Sequence, residues 1–467
     1  MAEHTYDKSS VIDAPCRFVW DWHLRPGALA RLNPPWVEVE FHKAEGVHDG
    51  ARVELYPKIG PCKVKWVAEH KDYVEGRQFH DSTVQGPMSK WEHTHKFDPA
   101  QGEDETTAPM RMTDHVVYTM PMGPLGSVAH GLFAERDIRR MFDYRHRLLA
   151  DDITDHWADR DKSKLTVAVS GSTGLVGQSL TDFLTTGGHC VRPIRRSGAR
   201  QGAIGWDTTN HLVDREAMEG CNAVVHLAGE SIMGRWTDAK KRRVHDSRVD
   251  GTRAVSEAIA KMQHKPDVLV CASAIGFYGE RGDEELTEQS AAGDGFMPEV
   301  CKAWEGACQP ARDAGVRVVN LRIGVVLTPA GGALKQMLPL FKLALGGRLG
   351  AGGQYWSWIS HEDLVGSILH CIRNDQLAGP VNATAPDPVT NADFTDALGD
   401  VLHRPTLLPV PRFGPALIYG QEMVDALLFG SIRVLPTELN RTSFTFRHPT
   451  LRHALAELLG RQNPFDA

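Results

Sequence analysis

Thr166-Val167-Ala168-Val169-Ser170-Gly171-Ser172-Thr173-Gly174-Leu175-Val176-Gly177 runs from a short β-branched strand into three glycines spaced G-x-x-G-x-x-G. This is the pattern of a dinucleotide-binding turn. Gly171 lets the chain leave the strand through backbone angles closed to other residues, Gly174 lets a pyrophosphate approach the N-terminus of the next helix, and Gly177 lets that helix pack close to the sheet. Ser172 and Thr173 place hydroxyl donors inside the same loop. Glycine turns also arise for structural reasons alone, so the flanking strand and helix carry the weight here.

Downstream the chain alternates strand and helix, with strands expected at Leu165–Ser170, His189–Ile194, Ala223–Leu227, Val268–Ser273 and Val316–Leu321. That rhythm specifies a doubly wound parallel sheet with crossover helices. Eighteen residues after Gly177 the second strand ends in Arg195-Arg196, where an acidic residue would hold the adenosine ribose hydroxyls of NAD. Two guanidinium groups there suit a 2′-phosphate instead, so NADP is the expected cofactor, against a solvated basic loop as the bland reading. A further cofactor contact is expected from Leu227-Ala228-Gly229, small residues directly after an apolar strand.

From Tyr6 to about Ala100 short alternating segments such as Val37–Phe41, Ala51–Leu55 and Val64–Val67 read as antiparallel strands. Another strand follows at Met110–Met120, then an amphipathic helix at Leu132–Ile153. The charged run Asp151–Lys164 reads as a linker. Beyond Gly379 the chain turns proline-rich, then helical around Leu417–Phe429. The expected architecture is multidomain, α+β followed by α/β, divided as 1–155, 165–378 and 379–467.

The chain has 467 residues, 42% of them hydrophobic and 24% charged, with a net charge of −7. These values describe globular protein without the basic footprint of nucleic-acid binding or attraction to anionic membrane. No apolar run approaches the ~20 residues of a bilayer span, and the N-terminus begins no signal peptide, so a cytoplasmic protein is expected. The eight cysteines form no C-x-x-C pair, which disfavours disulfide frameworks and zinc sites and suggests small buried side chains. His93-x-His95 has metal-ligand spacing, but without a third ligand in evident register it reads as a pair of surface histidines, and no metal is expected.

With His226-Leu227-Ala228-Gly229-Glu230, Arg235-Trp236-Thr237, Ser273–Gly279, Arg322–Leu327 and Trp356–Ser360, the chain from about Leu165 to Leu455 resembles the extended short-chain dehydrogenase/reductases, in their nucleoside-diphosphate-sugar epimerase-like branch. The N-terminal region is similar to the START-like, polyketide-cyclase-type family through Ile12–Pro15, Pro26-Gly27 and Arg31–Trp36. That resemblance implies a curved antiparallel sheet gripping a long helix over an apolar cavity, a Rossmann domain behind it and a small C-terminal subdomain. It also implies a hydrophobic ligand in the N-terminal domain, and for the reductase either a lipophilic small-molecule substrate or a neighbouring domain that regulates or stabilises it.

The wider superfamily uses a Tyr-x-x-x-Lys pair: the tyrosine exchanges a proton with substrate while the lysine lowers its pKa and holds the ribose. The corresponding segment here reads Phe296-Met297-Pro298-Glu299-Val300-Cys301-Lys302, with no tyrosine and with Lys302 out of register, as either a ribose contact or a solvated helix charge. Ser273, Tyr278 and Glu230 remain as candidate catalytic groups. Ser273 either enters the pocket or caps its strand, and Tyr278 either faces substrate or packs against the cofactor. Arg235 and Lys241 fall in the expected substrate loop, Arg322 follows its strand within reach of an anionic or carbonyl group, and Trp356 and Trp358 form either an aromatic wall or ordinary core. Asp363 is expected to favour the N-terminal dipole of a following helix. Two functions stay open: an NADP-dependent oxidoreductase or epimerase-like enzyme, and a non-catalytic NADP sensor.

Overall fold

The computed structural model describes residues 3–100, 108–120, 134–196 and 202–461. The chain divides into two compact units, Met1–Ser163 with Asp182–Gly188, and Lys164–Thr181 with His189–Ala467. Among the described residues no helix is long and apolar enough to cross a membrane.

The first unit holds an antiparallel sheet of β1 (Glu3–Ile12), β2 (Val39–Ala44), β3 (Arg52–Ile59), β4 (Cys62–Lys63), β5 (Trp66–Val74), β6 (Gln78–Gln85), β7 (Lys90–Pro99) and β8 (Met110–Thr119). Their order is β1-β8-β7-β6-β5-β3-β2, with β4 beside β3. Alternation sorts each strand into an inner and an outer face. The buried face of β7 reads Trp91, His93, His95, Phe97, and that of β8 reads Met110, Met112, Asp114, Val116, Tyr118. Polar residues thus occupy the middle of an otherwise apolar inner surface.

Helix α1 (Cys16–Leu24) packs Val19, Trp20 and Trp22 into this core. The long helix α2 (Glu135–Ala158) buries Ile138, Phe142, His146, Leu149 and Ile153 along one stripe. The start of the expected helix, Leu132-Phe133, lies outside the described residues. Its end is a correction, because most of the supposed linker is helical as far as Ala158. The charged sequence misleads there because its carboxylates are not all solvated. Asp152 is fully buried and takes a two-point contact from Arg31, Nε at 2.9 Å and Nη2 at 2.6 Å.

The second unit is built on β9 (Thr166–Ser170), β10 (Cys190–Arg195), β11 (Ile204–Asp207), β12 (Leu212–Val213), β13 (Ala223–His226), β14 (Val268–Ala274), β15 (Arg317–Ile323) and β16 (Gly379–Ala383). The order is β12-β11-β10-β9-β13-β14-β15-β16. All pairings are parallel except β11 with β12. Chain order reverses between β9 and β13, and such a switch point opens a crevice at the carboxyl ends of the strands. Near-continuous burial of Val167–Val169, Ala223–Val225 and Val268–Cys271 fits a sheet covered on both faces.

Four helices position the site: α3 (Leu175–Thr186), α4 (Asp238–Ala260), α5 (Phe296–Gly306) and α6 (His361–Arg373). The helical segment expected around Leu417–Phe429 is two short helices, Phe413–Tyr419 and Gln421–Leu427, broken at Gly420 with φ +85°. Trp356 and Trp358 belong to the core that also holds Phe394, Leu398 and Leu455. Six of the eight cysteines are buried, Cys62 and Cys190 are exposed, and all eight are free.

Candidate functional site

The glycine turn lies at the switch point and is formed by backbone packed on backbone. Gly171 sits at φ +70°, and a Cβ there would stand 3.0 Å from Ala228 N and from the Leu227 carbonyl carbon. A Cβ on Gly177 would stand 2.1 Å from the Gly171 carbonyl oxygen, a distance no side chain tolerates. α3 then begins at Leu175, its first amides facing the turn without intrahelical partners, as an anion-binding helix start requires. Ser172 is buried at the mouth, while Thr173 and Gly174 are exposed.

Two residues absent from the sequence-based set fix the neighbouring strand end. Ser170 Oγ accepts from Leu227 N at 3.1 Å and Ala228 N at 3.3 Å, and lies 2.7 Å from His226 Nδ1. This clamps the Leu227-Ala228-Gly229 segment against the turn. Full burial pushes the His226 pKa down to about 4, keeping the ring neutral. The available signal was a serine and a histidine, each closing an all-apolar strand.

Arg195 ends β10 with its Nε buried and without a partner, and Arg196 lines a cavity of about 470 Å³ with Gly205, Trp206, Asp207 and Thr208. The sequence places no acid at the β10 terminus, and Asp207, an acid of that cavity, accepts from the Thr209 and Asn210 amides of its own turn. The residues present therefore fit a dinucleotide: a glycine cradle closed to any Cβ, an unpaired buried guanidinium nitrogen and an adjoining hollow.

Beyond the turn, β14, β15 and β16 end in a connected polar row. Ser273, Arg322 and Asn382 sit side by side in strand register. Ser273 Oγ donates to Glu305 of α5 at 2.7 Å, and Arg322 forks onto the same carboxylate at 2.8 and 3.0 Å. Arg322 Nη1 donates to the Tyr278 hydroxyl at 3.0 Å, and that hydroxyl donates to Asn382 Oδ1 at 2.7 Å. The guanidinium also lies 3.4 Å from the Phe277 ring centroid. Arg322 is thus neutralised inside the fold rather than presented to an incoming anion. Tyr278 is fully buried, and burial raises its pKa against the opposing pull of Arg322 and Asn382.

The face that α5 turns inward carries Met297, Cys301 and Glu305 one turn apart. Met297 packs against Gly276, and Cys301 Sγ donates to the Ala274 carbonyl at 3.7 Å. Burial pushes the Cys301 pKa up to about 12, so the thiol stays protonated. Lys302 is exposed on the same helix. Glu230 receives Lys240 at 2.8 Å, and this bond holds its exposed carboxyl below its ordinary range. Its amide is held by Ser247 and its carbonyl by Arg248, both from α4. Arg235 donates to the Leu417 carbonyl, and Lys241 pairs with Glu422 at 2.5 Å. Asp363 does more than favour a helix dipole, since its buried carboxylate also accepts the Arg447 and His448 amides.

In the first unit the histidines expected on the surface are buried, His93 with 2% and His95 with 4% exposure. The β6–β7 register supplies the third ligand that the sequence left out, by setting Asp81 opposite His93.

Three family models match the chain: polyketide cyclase/dehydrase and lipid transport over residues 12–143, NAD dependent epimerase/dehydratase over 167–383, and a domain of unknown function over 410–458. An epimerase family protein of Mycobacterium tuberculosis is 43% identical over 291 residues, covering 62% of this chain and 96% of that protein. Human epimerase family protein SDR39U1 is 33% identical, covering 63% and 99%. Among solved structures, a nucleoside-diphosphate sugar epimerase from Corynebacterium glutamicum superimposes with TM-score 0.78 at 35% identity, covering 98% of this chain and 91% of that one. The human SDR39U1 structure with NADPH has TM-score 0.58 at 32% identity, covering 63% and 99%.

Proposed function

Since this chain belongs to the epimerase family of extended short-chain dehydrogenase/reductases and carries a polyketide-cyclase-type domain ahead of it, we propose that it is an NADP(H)-dependent oxidoreductase or epimerase-like enzyme acting on a small carbonyl or alcohol substrate. The observation that carries this reading is the Gly171–Gly177 cradle followed by Arg195-Arg196 in place of an acid. NADPH bound to the human relative supports the same choice. When bound, the cofactor supplies hydride exchange.

The chain's own residues do the rest. Gly171, Ser172, Thr173, Gly174, Leu175, Val176 and Gly177 hold the pyrophosphate against the α3 N-terminus, Arg195 and Arg196 hold the 2′-phosphate, and Leu227, Ala228 and Gly229 form the wall beside it. Lys302 is assigned the outer ribose contact. Ser273, Tyr278 and Glu230 are the proton-handling candidates. Ser273 and Tyr278 share one hydrogen-bonded network through Glu305 and Arg322, which fixes the position of both hydroxyls. We assign residues 1–155 to ligand binding and 165–378 to the cofactor domain, whose sheet β16 (Gly379–Ala383) completes, and the rest of 379–467 to a subdomain packed on it. We place the protein in the cytoplasm, acting on small molecules, with a hydrophobic ligand in the first domain.

A second reading, a non-catalytic NADP(H) sensor, is favoured by one observation: the inward face of α5 presents Met297 and Cys301, and the polar row beside it satisfies its own hydrogen bonds. Fluorescence titration separates these claims. NADPH is expected to bind at least ten-fold more tightly than NADH, and Arg195→Ala with Arg196→Ala to remove that preference. Equal affinity for both cofactors would reject the NADP assignment. NADPH consumption over a carbonyl panel, lost in Ser273→Ala or Tyr278→Phe, separates the enzyme from the sensor.

A further inference from the structure

The inner face of the first unit's sheet carries a set of donor atoms that the proposed reductase does not use. Three of them, from Asp81, His93 and His95, lie within 4.8 Å of one another. His93 Nδ1 stands 3.2 Å and His95 Nε2 3.7 Å from the same oxygen, Asp81 Oδ2. Two atoms that each lie about 2.1 Å from a tetrahedral ion are about 3.4 Å apart, so both spacings suit a shared cation.

The far sides of the two rings are already engaged. His93 Nε2 lies 2.9 Å from Asp114 Oδ1, and His95 Nδ1 lies 2.7 Å from the same oxygen, off the hydrogen-bonding direction. Asp114 Oδ2 takes His146 Nε2 of α2 at 2.8 Å, and Ser10 meets the other nitrogen of that ring at 2.7 Å. A carboxylate behind a ligating histidine is the usual support of a metal site, because it orients the ring, and Asp114 stands so behind both rings, hydrogen-bonded to His93 and His146. His93 thus lies between two carboxylates, with Nε2 on Asp114 and Nδ1 on the Asp81 side. His23 stands nearby. Its Nδ1 bonds the Val19 carbonyl at 2.8 Å, its buried Nε2 has no partner, and its ring centroid is 6.4 Å from that of His95.

Three side-chain atoms with metal-ligand chemistry thus converge from two adjacent strands inside an apolar shell. We propose that Asp81, His93 and His95 form a binding site for a divalent transition-metal ion, with Asp114 as the positioning carboxylate behind the two histidines. Two imidazoles and one carboxylate select an ion of the zinc, cobalt or ferrous class over calcium or magnesium, which prefer all-oxygen shells. The Asp81 side chain is 16% exposed, against 3% and 5% for His93 and His95, and marks the side from which an ion enters.

The test uses the full chain, stripped with a chelator, reloaded with Zn²⁺ or Co²⁺ and desalted. Elemental analysis is expected to find one ion per chain, with Co²⁺ giving the visible absorption of a nitrogen-ligated site. Asp81→Asn and His95→Gln should each weaken Zn²⁺ binding at least 100-fold, and Asp114→Asn by about 10–100-fold. His115→Gln, a half-buried histidine outside the cluster that pairs with Asp7, should leave binding unchanged. Circular dichroism of the metal-free variants checks folding. Imidazole nitrogen spectra of the unmutated chain, in which Zn²⁺ must shift the His93 and His95 signals, need no variant at all. The proposal is overturned if no stoichiometric ion is retained, if the cluster variants bind as the wild type does, or if those spectra show only doubly protonated rings at neutral pH with Zn²⁺ present.

Discussion

The two sheets of this molecule keep their chemistry in opposite places. In the parallel sheet the functional groups stand at the carboxyl edge, where β9 runs into the glycine turn and β14, β15 and β16 end in Ser273, Arg322 and Asn382. In the antiparallel sheet they stand mid-strand on the inner face, where His93, His95 and Asp114 interrupt an apolar surface. A polar group in mid-face must be satisfied by its neighbours, so the first unit binds its chemistry and its stability together.

The sharpest way to break this contrast is Asp152→Ala. The substitution removes the two-point partner of Arg31, which is 3% exposed inside the first unit, and it is expected to cost about 3–5 kcal/mol. Urea unfolding should show the loss, and NADPH affinity should change by less than two-fold if the cofactor site is an edge property as described.

Next in size is the pH response of two buried histidines of the second unit, which carry opposite signs. His226 titrates near 4 in the fold, against an ordinary value near 6.5. Between those values the unfolded chain binds a proton that the folded one refuses, so stability should fall as pH drops from about 6.5 to 4, by about 3 kcal/mol in all. Burial alone would depress His448 too, but Asp363 and Glu457 outweigh it and push it up to about 9. Its contribution is therefore full below about 6.5 and lost as pH rises through 9. Melting temperatures recorded from pH 4 to 10 should show both limbs, with His448→Gln flattening the alkaline one alone.

The smallest expected effect is Ser170→Ala, which removes the oxygen that receives the Leu227 and Ala228 amides. A loss of about 1 kcal/mol of stability is expected, with weaker NADPH binding in the same titration. Equal losses for Ser170→Ala and Asp152→Ala would erase the distinction between edge and interior.

The same distinction governs what was legible in the sequence. The glycine turn could be read because its meaning is local: strand, turn and helix follow one another within twelve residues. The placement of the parallel strands followed from their apolar runs. Asp81 could not be joined to His93 from sequence, because their meeting depends on how β6 is registered against β7, and a slip of one residue would send Asp81 to the other face. The charged stretch after Asp151 was misread for a related reason. Whether a carboxylate is solvated or buried depends on a guanidinium 121 residues away. The pairings of Ser273 with Glu305 and of Tyr278 with Asn382 likewise join residues on separate elements, where spacing along the chain carries no signal.

The obstruction at Gly177 has a further consequence for how this turn can vary. The three nearest atoms that a Cβ would meet there, all within 3 Å, belong to the main chain of Gly171 and Ser172, so no change of a neighbouring side chain can make room for it. A mutation at this position has no compensating partner among its contacts. Suppressor screens should recover reversion to glycine and nothing in the surrounding loop, whereas Arg195 and Arg196, which act through long side chains, leave their positions open to gradual exchange.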